Sequence, residues 1–303
     1  MACTLYASSL SRLILWASYR VGMTGLESGN KVFTKPIQEP PMKVPLLDIA
    51  IPSIYFKGST RQMLPSRMAK CTPDMYSAIH RLAQQVASQG GALYLSDLFR
   101  SHDMQLQAHL DWKSGKKSAF SPAPGGSMHE AGRAFDLDLG ALKISLKSFW
   151  ALAQQAGVSP IISKPDSKLS EAWHFDCPGS HARVYSYYKD GKGNNFAKPY
   201  TAMAASAINA VGITLDMFGD RQREVSLQFG LIRLGYELGN VDGVIGKDTR
   251  EAMEQAGLST SSPLDDQVEA VEDLLQRMFP HEYEVPPAQP LGEGFAWPDH
   301  LIA

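Results

Sequence analysis

Ser127-Met128-His129-Glu130-Ala131-Gly132-Arg133-Ala134-Phe135-Asp136-Leu137-Asp138 sets a histidine and a carboxylate, His129 and Asp136, on either side of a Gly-Arg bend. From Ala134 to Leu139 apolar and polar residues alternate, which predicts a half-buried strand. Successive side chains of a strand point to opposite faces. Phe135, Leu137 and Leu139 are therefore expected in a core, with Ala134, Asp136 and Asp138 sharing the other face.

A second segment supplies what the first lacks. In Glu171-Ala172-Trp173-His174-Phe175-Asp176, Trp173 and Phe175 are expected on one face of a short strand and His174 on the other. His129, Asp136 and His174 can then form a three-ligand site. Two imidazoles and one carboxylate leave a fourth tetrahedral position for water, the arrangement of a catalytic rather than a structural zinc. Glu171 lies three residues before His174, so a regular strand would not put both on one face. It is expected on the preceding turn, reaching over the metal. A carboxylate there suits general-base hydrolysis, in which the base takes the proton of an activated water.

Ser127-x-His129-x-x-Gly132-x-Ala134-x-Asp136 followed by Glu171-x-Trp173-His174 resembles the zinc D-alanyl-D-alanine carboxypeptidase family. That family includes vancomycin-resistance-type D,D-peptidases and phage peptidoglycan peptidases, and it shares the hedgehog fold. The resemblance spans roughly residues 40 to 200. It implies His129, Asp136 and His174 as zinc ligands and Glu171 as the catalytic base. Arg100-Ser101 with Gln105 resembles the family's Tyr-Arg-Ser-x-x-x-Gln segment, with Phe99 in the tyrosine's place. By that likeness Arg100 helps bind substrate and steadies the oxyanion, and Gln105 and Ser127 are substrate-binding residues. The fold so implied is α+β, a small, mainly antiparallel sheet with packed helices.

At 303 residues the chain is long enough for about two domains. A composition 44% hydrophobic and 20% charged is globular. A net charge of -2, with no long basic run, gives no general attraction to nucleic acid. The arginines Arg12 and Arg20 interrupt the apolar residues between Leu5 and Met23, so neither a spanning helix nor a signal peptide is evident there. No integral membrane segment is expected. The implied substrate nonetheless lies in the periplasm or cell wall, which leaves the export route open, release by lysis included. Cys3, Cys71 and Cys177 make no C-x-x-C pair; Cys71 and Cys177 are either bridged or buried thiols.

Thr72-Pro73-Asp74 predicts a helix start, with Met75, Ile79, Leu82 and Val86 as its core stripe until Gly90-Gly91. Residues 92–99 are expected as a strand delivering Arg100, Ser101 as the cap of a helix to about Trp112, and 113–124 as a loop. A helix over 146–156 closed by Gly157 and a strand over 158–162 complete this part. His181 is a further histidine near the expected site, while His102 and His109 are read as structural.

Beyond residue 200, Leu227-Gln228, Leu234-Gly235-Tyr236 and Asp242-Gly243-x-x-Gly246-x-x-Thr249 resemble the small three-helix peptidoglycan-binding module of cell-wall hydrolases. Gly235 is expected as a C-cap and Asp248 as an N-cap. A last helix is expected to start at Ser262, Pro263 and Asp265. The organisation expected is thus an N-terminal extension over 1–40, a zinc D,D-peptidase-like domain over 41–200, an all-α peptidoglycan-binding domain over 215–280, and an acidic, Pro-rich tail over 281–303. The function expected is a zinc-dependent D-alanyl-D-alanine carboxypeptidase tethered to peptidoglycan. The alternatives are a phage-type endopeptidase, and a non-catalytic, zinc-stabilised wall-binding protein.

Overall fold

A computed structural model describes residues 44–287. The expected N-terminal extension and most of the acidic tail lie outside the described residues, as does Cys3.

The central run does form a strand, β6 (Ala134–Leu137), but it ends one residue before Asp138. The Asp138 side chain accepts a hydrogen bond from the Gly140 amide (2.9 Å) and caps a 3-10 turn over Leu139–Leu142. A short polar side chain that bonds its own backbone competes with the strand ladder in this way. Asp136 and Asp138 therefore do not share a strand face, contrary to the alternation.

β6 sits inside a six-stranded sheet together with β2 (Pro52–Lys57), β3 (Thr60–Met63), β5 (Leu95–Asp97), β7 (Ser159–Pro160) and β8 (His174–Asp176). The spatial order is β3-β2-β5-β6-β8-β7. Only β2 and β5 run parallel; the other pairings are antiparallel. β1 (Leu47–Asp48) and β4 (Lys70–Cys71) form a separate antiparallel ribbon. The fold class is α+β with a mainly antiparallel sheet, as expected. The strands expected over 92–99 and 158–162 contract to β5 and β7; Pro160 has no amide to extend a ladder.

Helix α1 (Pro73–Ala87) buries Met75, Ile79, Leu82 and Val86 as its spacing predicts. They share a core with Phe135, Phe175 and Phe149, the last on α3 (Leu146–Gln155). Phe135 and Phe175 stack at 5.7 Å and Phe149 meets Phe175 edge-on at 5.0 Å. Ser101 caps α2 (His102–Lys113), accepting from the Met104 amide.

The second part holds a helix absent from the sequence reading. After α4 (Ala182–Lys189), α5 (Pro199–Ala210) crosses the expected domain boundary, and every residue from Ala202 to Ala210 is buried. Its small side chains allow close approach on all sides, so the period-3.6 signal of a one-sided helix is missing. Against it packs α6 (Gln222–Leu234), and α7 (Lys247–Gln255) and α8 (Leu264–Met278) pack on α6 in turn. This helical core also takes in Met128, Ala131 and Ala134 from the central run, so one continuous core joins the two expected domains.

Gly235 ends α6 at φ 107° as expected, but the N-cap of α7 is Gly246, and Asp248 lies in the first helical turn. The Leu-Gln and Asp-Gly elements form one structural unit. Gln228 accepts from the Asp242 and Gly243 amides (3.0 and 2.8 Å) and donates to the Asp242 carboxylate (3.1 Å), pinning the loop to α6.

The tail also departs from expectation at its start. Pro280–Glu282 form a 3-10 turn, and Glu282 is fully buried. It meets Arg233 at 3.0 Å and accepts from the Ser180 hydroxyl at 2.9 Å, while Arg133 lies 4.0 Å from its other oxygen. Arg133 in turn pairs with Asp74 on α1. The backbone here admits no side chain at Gly179, where an added Cβ would lie 2.4 Å from Arg133 and 2.5 Å from Glu282.

Candidate metal and catalytic site

The His129 turn is fixed before any side chain acts. Met128–Ala131 form a 3-10 turn that ends at Gly132, whose φ of 63° is the left-handed conformation. A Cβ there would lie 2.9 Å from the Cys71 backbone, so only glycine fits between this bend and β4. Glu130 anchors the other side. Its carboxylate accepts from the Gly125 amide at 3.0 Å and the Ser127 amide at 3.3 Å, and burial pushes it up to about 7 despite those bonds.

Cross-strand register then aligns the candidate ligands. Asp136 pairs directly with His174 across β6 and β8, which puts their side chains on one face at neighbouring positions. His174 Nδ1 lies 2.9 Å from Asp136 Oδ1, and His129 Nε2 lies 3.4 Å from the same oxygen. Candidate ligand atoms of His129, Asp136 and His174 all fall within 4.8 Å of one another.

The donor set fits a zinc-like cation on a specific observation. His129 Nδ1 lies 2.8 Å from the Leu98 carbonyl, and a carbonyl only accepts, so Nδ1 carries the proton. Nε2 then presents a lone pair, is buried, and has no hydrogen-bond partner. A ring oriented by a carbonyl on one nitrogen and free on the other is the usual arrangement of a metal-ligating histidine.

Asp176 was not singled out in the sequence, although its position two residues after His174 put it on the same strand face. Its carboxylate lies 2.9 Å from His174 Nε2. Burial opposes charge on His174, but Asp176 and Asp136 outweigh it, and the ring is pushed up to about 10. Burial alone would raise Asp136; His129 and His174 reverse the effect and hold it well below the usual carboxylate range.

A metal at this cluster would therefore compete with a proton for His174. In the metal-free protein the ring is charged below about pH 10, and a coordinating imidazole must be neutral. Apparent zinc affinity is accordingly expected to rise with pH, by about tenfold per unit between pH 6 and 8 if one proton is displaced. Calorimetry in buffers of different ionisation enthalpy would read that proton directly; zinc uptake with no proton release would contradict it.

Glu171 stands on the turn before β8, as the period-two argument requires. Its φ is 67°, an uncommon left-handed backbone for a non-glycine residue, and its amide carbonyl accepts from the His174 amide at 3.0 Å. Such strain persists only where surrounding structure imposes it. One carboxylate oxygen is buried without a partner, and burial pushes the carboxyl up. Trp173, expected on the strand face of Phe175, instead precedes the strand and lines the same cavity as Glu171 and His174.

Arg100 lines that cavity too, yet its guanidinium is engaged. It donates to Asp97 (2.6 Å), Gln105 (3.2 Å) and Asp136 Oδ2 (3.3 Å), and so holds the second oxygen of Asp136. Asp97, a further residue the sequence reading passed over, steadies Arg100. Gln105, expected as a substrate-binding residue, is fully buried and is not among the residues that line the cavity. It binds Arg100 and donates to Ser121 and to the Pro122 carbonyl, tying the loop after α2 to the site. Ser127 is buried at the start of the His129 turn and lines the cavity.

The remaining candidates fall elsewhere. His181 is buried against Ser206 (2.9 Å) away from the ligand cluster, His109 bonds the Ser121 carbonyl, and His102 is exposed. Cys71 and Cys177 are buried free thiols, not a bridge.

Because Asp138 has left the strand to cap a turn, Asp136→Ala is expected to abolish stoichiometric zinc binding and Asp138→Ala to retain it. Metal analysis of the two purified variants checks this, and the reverse order would reassign the ligand.

Among the described residues no helix is long and apolar enough to cross a membrane. No protein-family model matches the chain. No curated protein matches it either. Among solved structures the chain is similar to the LdcB LD-carboxypeptidase, a structure described in terms of peptidoglycan recognition. The TM-score is 0.34 with 16% identity, over 46% of this chain and 70% of that one.

Proposed function

We propose that the protein is a metal-dependent peptidoglycan peptidase, with zinc at His129, Asp136 and His174, that releases the terminal D-alanine from stem peptides. One juxtaposition supports this reading: a buried, unpartnered oxygen of Glu171 shares a cavity with three converging metal-ligand side chains. A cation held there supplies a Lewis acid that polarises a carbonyl and acidifies water.

The chain's own groups do the rest. Glu171 accepts the proton of the attacking water and returns it to the departing amine, and its raised affinity for protons makes it the stronger base. Arg100 holds Asp136 in place and keeps positive charge beside the carbonyl oxygen as charge develops there. Asp176 orients the His174 ring from its far nitrogen.

The helices over 219–280 serve, in this proposal, as the wall-binding part, and the protein acts in the periplasm or cell wall. Since α6 shares a core with α4 and α5, binding is best tested on the intact chain, by sedimentation with purified peptidoglycan. Mass spectrometry of defined muropeptides incubated with the zinc-loaded protein tests the reaction. Loss of one D-alanine from pentapeptide stems is expected. Cleavage inside the stem or cross-bridge would make it an endopeptidase, and unaltered muropeptides would leave a binding protein.

A further inference from the structure

Gln105 stands on α2, fully buried, with each polar atom of its side chain bonded. Oε1 accepts from Arg100 Nη1 at 3.2 Å, while Nε2 donates to the Ser121 hydroxyl at 3.0 Å and to the Pro122 carbonyl at 2.6 Å. The amide has one orientation here, because a guanidinium only donates and a carbonyl only accepts.

Its oxygen completes the bracing of Arg100. Asp97 takes Nε at 2.6 Å, Gln105 takes Nη1, and Asp136 Oδ2 takes Nη2 at 3.3 Å. The Asp97 bond is the shortest, yet it acts at the pivot: turning the group about its Cδ–Nε bond leaves Nε in place and sweeps both Nη atoms. The plane is therefore braced by the two longer bonds, one on each far nitrogen, and either alone lets it tilt. A guanidinium is a rigid planar fork of five donors. Three of them are spent on these bonds, and the other two, one on each Nη, are those that a carbonyl oxygen in the cavity can meet, since Arg100 lines it. A misplacement of about 1 Å at such a group can cost about 100-fold in rate.

The nitrogen of the same amide reaches the opposite way. Ser121 and Pro122 belong to the loop that lines the cavity, and His109, one turn on from Gln105, bonds the Ser121 carbonyl at 2.8 Å. Residues four apart share a helix face. One face of α2 thus registers the loop and the arginine against each other.

We infer that Gln105 is a positioning residue, which fixes the plane of the Arg100 guanidinium and ties it to the loop wall of the cavity. The inference rests on the peptidase reading above, and Gln105 acts in it only through Arg100.

Arginine-selective nitrogen NMR of the full chain, with the Arg100 signals assigned by their absence from Arg100→Lys, reads the plane directly. Separate, slowly rotating Nη signals are expected in the native protein and averaged ones in Gln105→Met. Gln105→Glu, which keeps an oxygen toward the guanidinium, should restore them. With zinc bound, Gln105→Met is expected to lose about ten- to hundredfold in kcat on a pentapeptide ending in D-Ala-D-Ala, with KM within about twofold. In an Arg100→Lys background the same substitution should cost less than about twofold, because no plane remains to be aligned. Averaged signals in the native protein would overturn the inference without any variant. So would unchanged signals in Gln105→Met, or losses that multiply in the double variant. A native protein that cleaves no peptide would remove the peptidase reading, and the arginine signals would still decide what Gln105 does to Arg100.

Discussion

Glu171→Gln is expected to retain bound zinc and fold and to lose about 10²- to 10⁴-fold in peptide hydrolysis, the usual worth of a general base. Glutamine is close in shape to glutamate, so the strained backbone at φ 67° is carried unchanged into the variant. What it cannot do is accept a proton. His174→Ala gives the contrasting pattern, because it removes a member of the ligand cluster and should lose metal and activity together. Metal analysis and steady-state kinetics on the same preparations separate the two. If Glu171→Gln also came free of zinc, Glu171 would be a ligand; if it cleaved peptide normally, the base would be another group.

The second large effect concerns stability. Removing Glu282 leaves Arg233, only 2% exposed, without the carboxylate it meets directly, with the buried Glu272 as its remaining counter-charge. Breaking a buried pair by deleting one member costs about 3–5 kcal/mol, because the remaining charge keeps its desolvation penalty. Glu282→Ala is expected to lower unfolding stability by about that amount in urea titration. The partial compensation available is the Tyr283 hydroxyl, which accepts from Arg233 at 3.0 Å and itself donates to Glu272 at 3.1 Å. Glu284→Ala, two residues on and exposed, should change stability by less than about 0.5 kcal/mol. Comparable losses in both variants would mean that the ionic cluster contributes nothing specific.

These two predictions differ in how they became visible. Glu171 was legible because a local rule, period two in strands, excluded it from the face of His174 and put it on a turn. The Glu282 cluster was not. Asp74, Arg133, Ser180, Arg233 and Glu282 are scattered along the chain, and no spacing rule connects them. An acidic, Pro-rich composition instead suggested a tail, whereas the fold buries one of its carboxylates against Arg233 and beside Arg133, which Asp74 also pairs.

The sequence alone determined the α+β class, the α1 stripe, the helix over 146–156, the Gly132 and Gly235 bends, and His129, Asp136, His174 and Glu171 as the candidate cluster. Each follows from local periodicity, from a glycine's access to positive φ, or from the chemistry of a short motif. Only the tertiary structure took Asp138 off the strand face that the alternation had it share with Asp136, since a side-chain bond to Gly140 outcompetes one more step of strand. It alone brought Asp176, Asp97 and Gln105 to the candidate cluster as supports, through sheet register and a long-range loop contact. And it alone made α5 a shared centre, because a helix of small residues buried on every side carries no amphipathic signature to read.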